Sequence, residues 1–221
     1  MKYIAKIKTD FPTKFGLPRQ SGLNDGIKGK IIFEKEYRNP DAVRGLSEFS
    51  HLWIIWEFSQ SKKEKWSPTV RPPLLGGNAK KGVFATRSPF RPNPIGLSAV
   101  KIEKIEITES LGPVIYVTGA DMMDGTPIFD IKPYLPYADA KFDATGGFTD
   151  DLEKRELEII FPNELKGMFN QEQLQELIIA LSGDPRPSYI DDAKRIYGFA
   201  FCNRKVRFKV ENKTLTVIDI K

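Results

Sequence analysis

The chain has 221 residues, of which 40% are hydrophobic and 29% charged, and a formal net charge of +5, which is typical of a globular protein. It contains one cysteine, Cys202, and one histidine, His51, which excludes an internal disulfide and any metal site built from several Cys or His side chains. No apolar run approaches the roughly 18 residues of a membrane span, and the N-terminus lacks a signal-peptide core, so we expect a cytoplasmic protein without membrane or metal.

Short strands separated by turn residues are predicted over the first two-thirds of the chain. The segments are Tyr3–Lys8, Gly29–Tyr37, Leu52–Phe58, Ser98–Ile107 and Val114–Thr118. The nearly continuous apolar run of Leu52–Phe58 predicts a strand buried on both faces, and a break in the alternation near Lys104 predicts a β-bulge. Because long helical periodicity is absent, the pattern favours a mainly β fold in which a single sheet curls into a barrel.

The pattern changes in the last third of the chain. Ala140–Asp151 has the composition of a linker, and the sequence NQEQ at Asn170–Gln173 is typical of a capping box at the start of a helix that Gly183 would end. Two alternating segments near the C-terminus predict a pair of strands. We therefore expect a barrel domain over residues 1–140 and a small α+β domain over residues 141–221.

Charge is distributed unevenly along the chain. Residues 62–104 carry ten Lys or Arg against two acids, residues 121–158 carry ten acids against four bases, and residues 184–213 carry eight bases against four acids. Two basic zones separated by an acidic one indicate a polyanionic partner, such as nucleic acid, contacted by two regions. A mixed, solvated surface is the alternative interpretation.

The segment Gly82–Ser98, GVFATRSPFRPNPIGLS, holds three prolines and two arginines. Proline fixes φ and removes a backbone donor, so this segment predicts a stiff loop rather than a helix or a central strand. Arg87 and Arg91 on such a loop present a fixed fork for a carboxylate or a phosphate. A rigid structural connection with solvated charges would explain the same residues.

The block DGTPIFDIKPY contains a turn signal at Asp124-Gly125, with Asp121 and Asp130 nearby. Asp124 and Thr126 are able to accept hydrogen bonds from a ribose or an ammonium group. An Asx-turn between two strands is the simpler alternative. Because the charge of this block opposes that of the arginine loop, the two together fit a zwitterionic ligand.

These blocks resemble the TsaA-like, or TrmO, family of tRNA methyltransferases, and they occur in the same order along the chain. Besides the proline loop, they are FGLPRQSGL (Phe15–Leu23), VRGLSEFSHLWIIWEF (Val43–Phe58), TVRPPLLGGN (Thr69–Asn78), DGTPIFDIKPYLP (Asp124–Pro136) and DPRPSY (Asp184–Tyr189). The resemblance implies a TsaA-like β-barrel of the class VIII methyltransferase type. It also implies a homodimer with S-adenosylmethionine between the barrels of two subunits.

Matched position by position, the resemblance assigns cofactor contacts to Gln20, Ser21, Gly22, Ser59, Gln60, Arg87, Leu97, Asp124, Gly125, Thr126 and Pro127. Ser59 departs from the histidine that relatives often carry. Each position has a competing structural role: Gly22 and Gly125 are suited to a positive φ, and Leu97 is equally suited to a core.

The resemblance implies methylation of N6 of threonylcarbamoyladenosine at position 37, next to the anticodon, with threonine tRNA as the expected substrate and with the nitrogen displacing S-adenosylhomocysteine in line. An acceptor near N6 would assist, and the candidates are Asp121, Asp124 and Asp130, with Tyr134 as a hydrogen-bond partner. The expected RNA-binding residues are Arg71, Lys80, Lys81, Arg91, Arg186 and Tyr189, and Trp66, Phe84 and Phe90 are available for stacking on bases.

Two other functions remain compatible with the sequence. One is a barrel methyltransferase that acts on a different RNA or on a small molecule. The other is a non-catalytic RNA-binding module that has kept a cofactor site.

Overall fold

The computed structural model describes residues 1–61, 65–151, 156–186 and 192–221. Six strands of the described chain close an antiparallel barrel in the order β1-β2-β7-β6-β3-β8. These strands are β1 (Ala5–Lys8), β2 (Lys28–Phe33), β3 (His51–Glu57), β6 (Ile95–Thr108), β7 (Gly112–Thr118) and β8 (Pro127–Pro133). The mainly β fold and the single-sheet barrel predicted from the sequence are therefore confirmed.

Alternation along β6 shows how the sequence builds the barrel wall. Gly96, Ser98 and Val100 are buried on the inner face, whereas Leu97 is exposed on the outer face, as the two-residue period of a strand requires. The register of β6 against β7 shifts between Ile102 and Lys104, which confirms the predicted bulge.

Strand β3 differs from the prediction. Leu52, Ile54 and Trp56 are buried, but Trp53 and Ile55 between them are only partly buried. The prediction of burial on both faces is wrong because the wall of a barrel has one face toward the core, and no second layer of the described chain covers the outer face of β3 completely. The outer side of β3 and β6 consequently carries an apolar patch of Trp53, Ile55 and Leu97.

Three long connections leave the same end of the barrel. Because neighbouring strands are antiparallel, the carboxyl ends of β1, β3 and β7 lie together. The connections that follow them are residues 9–27, 58–94 and 119–126. The second of these contains a two-stranded ribbon of β4 (Thr69–Val70) and β5 (Lys81–Gly82).

The C-terminal part forms a four-stranded sheet in the order β10-β11-β12-β9. Its strands are β9 (Glu158–Ile160), β10 (Tyr197–Phe201), β11 (Arg204–Glu211) and β12 (Thr214–Ile220), and the chain's helices are α1 (Pro136–Asp139), α2 (Asn163–Lys166) and α3 (Gln171–Ser182). The capping box at Asn170 and Gln173 is present at the start of α3, as the sequence predicts.

Aromatic contacts join the sheet to the barrel. The ring of Phe11, on the first long connection, packs 5.1 Å from that of Phe201 and 6.5 Å from that of Phe199. The two parts consequently share one hydrophobic core. Within the described ranges, no helix is long and apolar enough to cross a bilayer, and no three His, Cys, Asp or Glu side chains form a group able to hold a metal ion.

Candidate functional site

Asp121, on the third connection, is anchored to the barrel interior by a chain of hydrogen bonds. Ser98 Oγ donates to Asp121 Oδ1 at 2.6 Å, and the same hydroxyl accepts from Trp56 Nε1 at 2.9 Å. The indole of Trp56 lies against Gly96, where a Cβ would be 2.2 Å from the ring. Burial raises the pKa of the Asp121 carboxyl, while the Ser98 bond and the charge of Arg87 act in the opposite direction.

Arg87 links the second connection to the first. Its Nη1 donates to Gln20 Oε1, and its charge lies close enough to stabilise the Asp121 carboxylate, which also accepts a hydrogen bond from the backbone N–H of Ser21. The three connections thus meet through Gln20, Arg87 and Asp121. These three residues come from separate segments of the sequence and lie together only in the folded protein.

The proline loop owes its shape to hydroxyl groups as well as to prolines. Thr86 Oγ1 donates to the carbonyl of Val83 at 2.9 Å and accepts from the N–H of Ser88 at 3.3 Å, and Ser88 Oγ accepts from the N–H of Phe90 at 3.2 Å. Arg91 turns inward, where its Nη1 donates to the Thr86 carbonyl at 3.1 Å. Arg91 therefore braces the loop, and Arg87 is the exposed guanidinium that the loop presents.

The acidic turn is fastened to the end of β1. Asp124 Oδ1 accepts from the N–H of Thr9 at 3.1 Å, and Asp124 Oδ2 lies 3.5 Å from Lys8 Nζ. Gly125 has a φ of +75° and is exposed, whereas Thr126 and Pro127 are buried. The accessible part of this turn is therefore Asp124 and the backbone of Gly125.

The remaining expected cofactor contacts lie at the same end of the barrel. Ser59 and Gln60 are exposed in a 3-10 turn directly after β3. Leu97 is 56% exposed on the outer face of β6, so the alternative that it is a core residue is wrong. Asp130, on β8, accepts from the N–H of Ile131 and lies 3.3 Å from Lys132, so its partners lie outside the Asp121 cluster.

Three of the expected RNA-binding residues lie on or beside the ribbon of β4 and β5. Arg71 and Lys80 are exposed on the ribbon of β4 and β5, and Lys81 lies over the ring of Phe148 at 5.3 Å. Beside them, Trp66 and Phe84 are 52% and 70% exposed and stack on one another at 6.1 Å.

Arg186 contradicts the expectation that it contacts RNA. It is only 8% exposed, and its Nε and Nη2 bind the carboxylate of Asp184 at 2.8 and 3.0 Å. A buried, fully paired guanidinium is unavailable to a phosphate. Its backbone carbonyl instead accepts from Arg19 Nη2 at 3.2 Å. The other residue expected in this motif, Tyr189, lies outside the described residues.

A cleft of about 300 Å³ adjoins the loop that carries Gln20. It is lined by Ser21, Gly22, Asp25, His51, Ala99, Lys101 and Tyr134. Of these, Asp25, His51 and Lys101 were not assigned to a site from the sequence, and neither were Trp56 and Ser98 behind Asp121. The sequence alone does not identify these residues as a site, because His51 and Lys101 lie opposite one another only in the register of β3 with β6.

Family models match most of the chain. The model of the tRNA-methyltransferase O N-terminal domain matches residues 6–140, and that of the TrmO C-terminal domain matches residues 154–221. The chain belongs to the TrmO family. TrmO is a family of methyltransferases, and the resemblance stated from the sequence motifs is thereby confirmed.

Similar proteins extend over nearly the whole of this TrmO-family chain. A tRNA (adenine(37)-N6)-methyltransferase of Escherichia coli is 38% identical over 94% of this chain and 91% of its own. A Pseudomonas aeruginosa relative, whose name assigns it provisionally to the S-adenosylmethionine-dependent methyltransferases, is 38% identical over 84% of this chain and 81% of its own. A crystal structure of TrmO from Pseudomonas aeruginosa superposes with a TM-score of 0.78 at 29% identity, covering 99% of this chain and 97% of that one.

Proposed function

We propose that this TrmO-family enzyme transfers a methyl group from S-adenosylmethionine to N6 of adenosine 37 in tRNA. The observation that carries the proposal is the meeting of Gln20, Arg87 and Asp121, each from a different connection, at one end of the barrel. The activity by which the Escherichia coli relative is named supports the same reaction.

The residues at this end fit a zwitterionic cofactor. Arg87 offers an exposed guanidinium for a carboxylate, and Asp124 keeps a partly exposed carboxylate for an ammonium group. Gly22 and Gly125 have φ values of +70° and +75°, and a Cβ on Gly125 would meet nothing within 4 Å, so the backbone is open to a ligand at both turns. When bound, S-adenosylmethionine supplies a methyl group on a positively charged sulfur.

The four acid–base candidates have different roles in this proposal. Asp121 positions the cofactor site, because it holds Arg87 and the backbone of Ser21 against Ser98. Asp124 binds the cofactor. Asp130 has no role, since Lys132 neutralises it on β8. Tyr134 lines the cleft beside the segment of residues 20–22, which we call the cofactor loop.

The ribbon carries the proposed contact with RNA. Arg71 and Lys80 supply exposed charge, and the stacked pair Trp66 and Phe84 supplies aromatic faces for unstacked bases. We therefore expect affinity for tRNA to fall steeply with salt, whereas Trp66→Ala should weaken binding to a similar degree at every salt concentration. Filter binding between low and moderate salt measures both effects, and salt-independent binding would contradict the assignment.

Finer features of the proposal rest on the sequence motifs. They are the threonylcarbamoylated form of the adenosine, threonine tRNA, a cytoplasmic location, a barrel domain that ends near residue 140, and a homodimer. The partly exposed Trp53 and Ile55, with the exposed Leu97, support the homodimer because they form an apolar outer surface that a second barrel could cover.

The decisive experiment incubates the enzyme with tritium-labelled S-adenosylmethionine and tRNA from cells that lack the modification. We expect label in tRNA, and mass spectrometry of the nucleosides should find the methyl group on N6 of threonylcarbamoyladenosine. Label in another RNA or in a small molecule would replace the proposed substrate. No transfer, together with retained RNA binding, would favour a non-catalytic module.

A variant tests the cofactor site directly. Removal of a charged hydrogen bond costs about 1.5–3 kcal/mol, so Arg87→Ala should weaken S-adenosylmethionine binding roughly 10- to 100-fold by calorimetry. Arg44→Ala is the matched control, because Arg44 is an exposed arginine on the connection between β2 and β3 at the opposite end of the barrel. Equal affinities in the two folded variants would remove Arg87 from the site.

A further inference from the structure

The cleft beside the cofactor loop is assembled by strand register. His51 lies opposite Lys101 in the pairing of β3 with β6, and the N–H of Tyr134 donates to the carbonyl of His51 at 3.0 Å. Gly22 forms the loop side of the cleft. The Ala99 carbonyl oxygen lies 3.9 Å from the position that a Cβ on Gly22 would occupy. The cleft is therefore built by two strands, the residue that follows β8, and one loop.

Polar groups in this cleft lack partners of their own. In the part of the chain that the structure describes, no hydrogen bond or ion pair engages the Asp25 carboxylate, the Lys101 ammonium or the Tyr134 hydroxyl. His51 uses Nδ1 toward Ser50 Oγ at 2.8 Å, which leaves Nε2 available. A carboxylate, an ammonium group, an imidazole and a phenol hydroxyl thus line one small space, which is the pattern of a ligand site.

The aromatic wall of the cleft is rigid. The ring of Tyr134 packs 5.5 Å from the ring of Trp53, and Trp53 Nε1 donates to Asp139 Oδ2 at 2.9 Å. The same carboxylate oxygen accepts from the N–H of Leu135 at 2.9 Å. The contact with Trp53 and the hydrogen bond of the next residue, Leu135, therefore fix the position of Tyr134. Its ring is able to stack on a planar ligand.

We propose that this cleft binds the adenine base that receives the methyl group, stacked on Tyr134 and hydrogen-bonded to Asp25 and Lys101; this rests on the proposed function. The carboxylate of Asp25 accepts from the amino group of the base, and Lys101 and His51 donate to its ring nitrogens. A cavity of about 300 Å³ is small for a complete cofactor and suits a single extruded base.

The position of the cleft agrees with this assignment. Ser21 and Gly22 belong both to the cleft and to the expected cofactor loop. Leu97 points to the same side of β6 as Ala99 and is two residues away, a separation of about 6–7 Å along a strand. A base in the cleft therefore adjoins a cofactor on Leu97.

The test measures methyl transfer and cofactor affinity in variants of the full chain. Tyr134→Ala should lower the transfer rate at subsaturating tRNA roughly 10- to 100-fold, the effect of losing one stacked base, and should leave the affinity for S-adenosylmethionine within about twofold. Tyr134→Phe should recover most of that loss, since it keeps the ring. Tyr137→Ala, an 86% exposed tyrosine three residues further on, is the control and should transfer at the wild-type rate.

A second variant and a second readout keep the outcome clear. Lys101→Gln changes an exposed side chain and should reduce the rate even if Tyr134→Ala misfolds. An anticodon stem-loop with 2-aminopurine at the target position should change its fluorescence on binding the wild type but not on binding Tyr134→Ala. Failure of methyl transfer with a Tyr134-dependent fluorescence change would overturn the proposed function alone. Unchanged rates in both cleft variants, or identical fluorescence changes, would overturn the cleft assignment.

Discussion

Glu176 makes the stability of this protein depend on pH. It lies on α3, is only 5% exposed, and its Oε1 accepts from the backbone N–H of Lys28 at 3.2 Å. Burial, reinforced by the negative charge of Asp10, raises the pKa of this carboxyl from 4.5 to about 8. At neutral pH the side chain is therefore protonated in the folded protein and ionised in the unfolded one.

The sign follows from proton counting. Between pH 4.5 and 8 the folded state binds more protons at Glu176 than the unfolded state does, so the contribution to stability is complete below pH 4.5 and is lost as the pH rises toward 8. Glu176→Gln keeps the oxygen acceptor and cannot ionise. At 1.36 kcal/mol per pKa unit, the variant should gain about 3 kcal/mol relative to the wild type between pH 5 and pH 8.

Urea unfolding of both proteins at pH 5 and pH 8 measures this gain. Glu172→Gln is the matched control, because Glu172 lies one turn earlier on α3, is 69% exposed, and has a pKa lowered by its bond with Lys28. Because Glu172 is ionised in both the folded and the unfolded protein above its ordinary pKa of 4.5, the free-energy difference between wild type and Glu172→Gln should be nearly the same at pH 5 and pH 8. A free-energy difference between wild type and Glu176→Gln that is the same at both pH values would refute a protonated Glu176.

Three further substitutions test the structure. Ser98→Ala leaves the Trp56 indole N–H without its acceptor and removes one hydrogen bond from the Asp121 carboxylate, which should cost about 2–6 kcal/mol and lower the Tm in calorimetry by roughly 5–20 °C. Gly96→Ala forces a Cβ to within 2.2 Å of the Trp56 ring, so urea unfolding should show a loss of about 1–3 kcal/mol or more. Asn170→Ala removes the cap of α3 and should cost about 1 kcal/mol by the same measurement.

Local rules predicted the elements of this fold well. The bulge near Lys104 and the capping box at Asn170 depend on residues close in sequence, and both are present. Burial of β3 on its second face was predicted wrongly, because an apolar run does not say whether a second layer covers it. Strand order in the barrel depends on distant pairings, such as β1 with β8, and these leave no local signal.

The residues of the candidate site likewise differ in whether residues close in sequence or distant strand pairings reveal them. Arg87, Asp124 and Gly125 could be proposed from the sequence because unusual residue types stand on turns, where function concentrates. Ser98 and Trp56 look like ordinary strand residues, and their role becomes visible only when β3 and β6 pair and the hydroxyl meets Asp121. Arg186 misled the prediction because a Lys or Arg in a basic zone carries no sign of the buried acid that neutralises it.

Burial of Arg186 makes the C-terminal part a support for the first long connection of the barrel. Ordering a loop as long as residues 9–27 costs roughly 1–2 kcal/mol per residue in backbone entropy, and this loop carries three of the expected cofactor contacts, Gln20, Ser21 and Gly22. Besides the Phe11 contacts, the C-terminal part holds it through Arg19, which donates to the Arg186 carbonyl, through the N–H of Cys202, which donates to the Asp10 carbonyl at 3.0 Å, and through Phe199, which packs against Gly16. The ion pair of Arg186 with Asp184 fixes one of these anchors. Asp184 and Arg186 therefore act on the proposed cofactor site through the loop that they brace, and loss of the C-terminal contacts should disorder that proposed site even though its barrel residues remain.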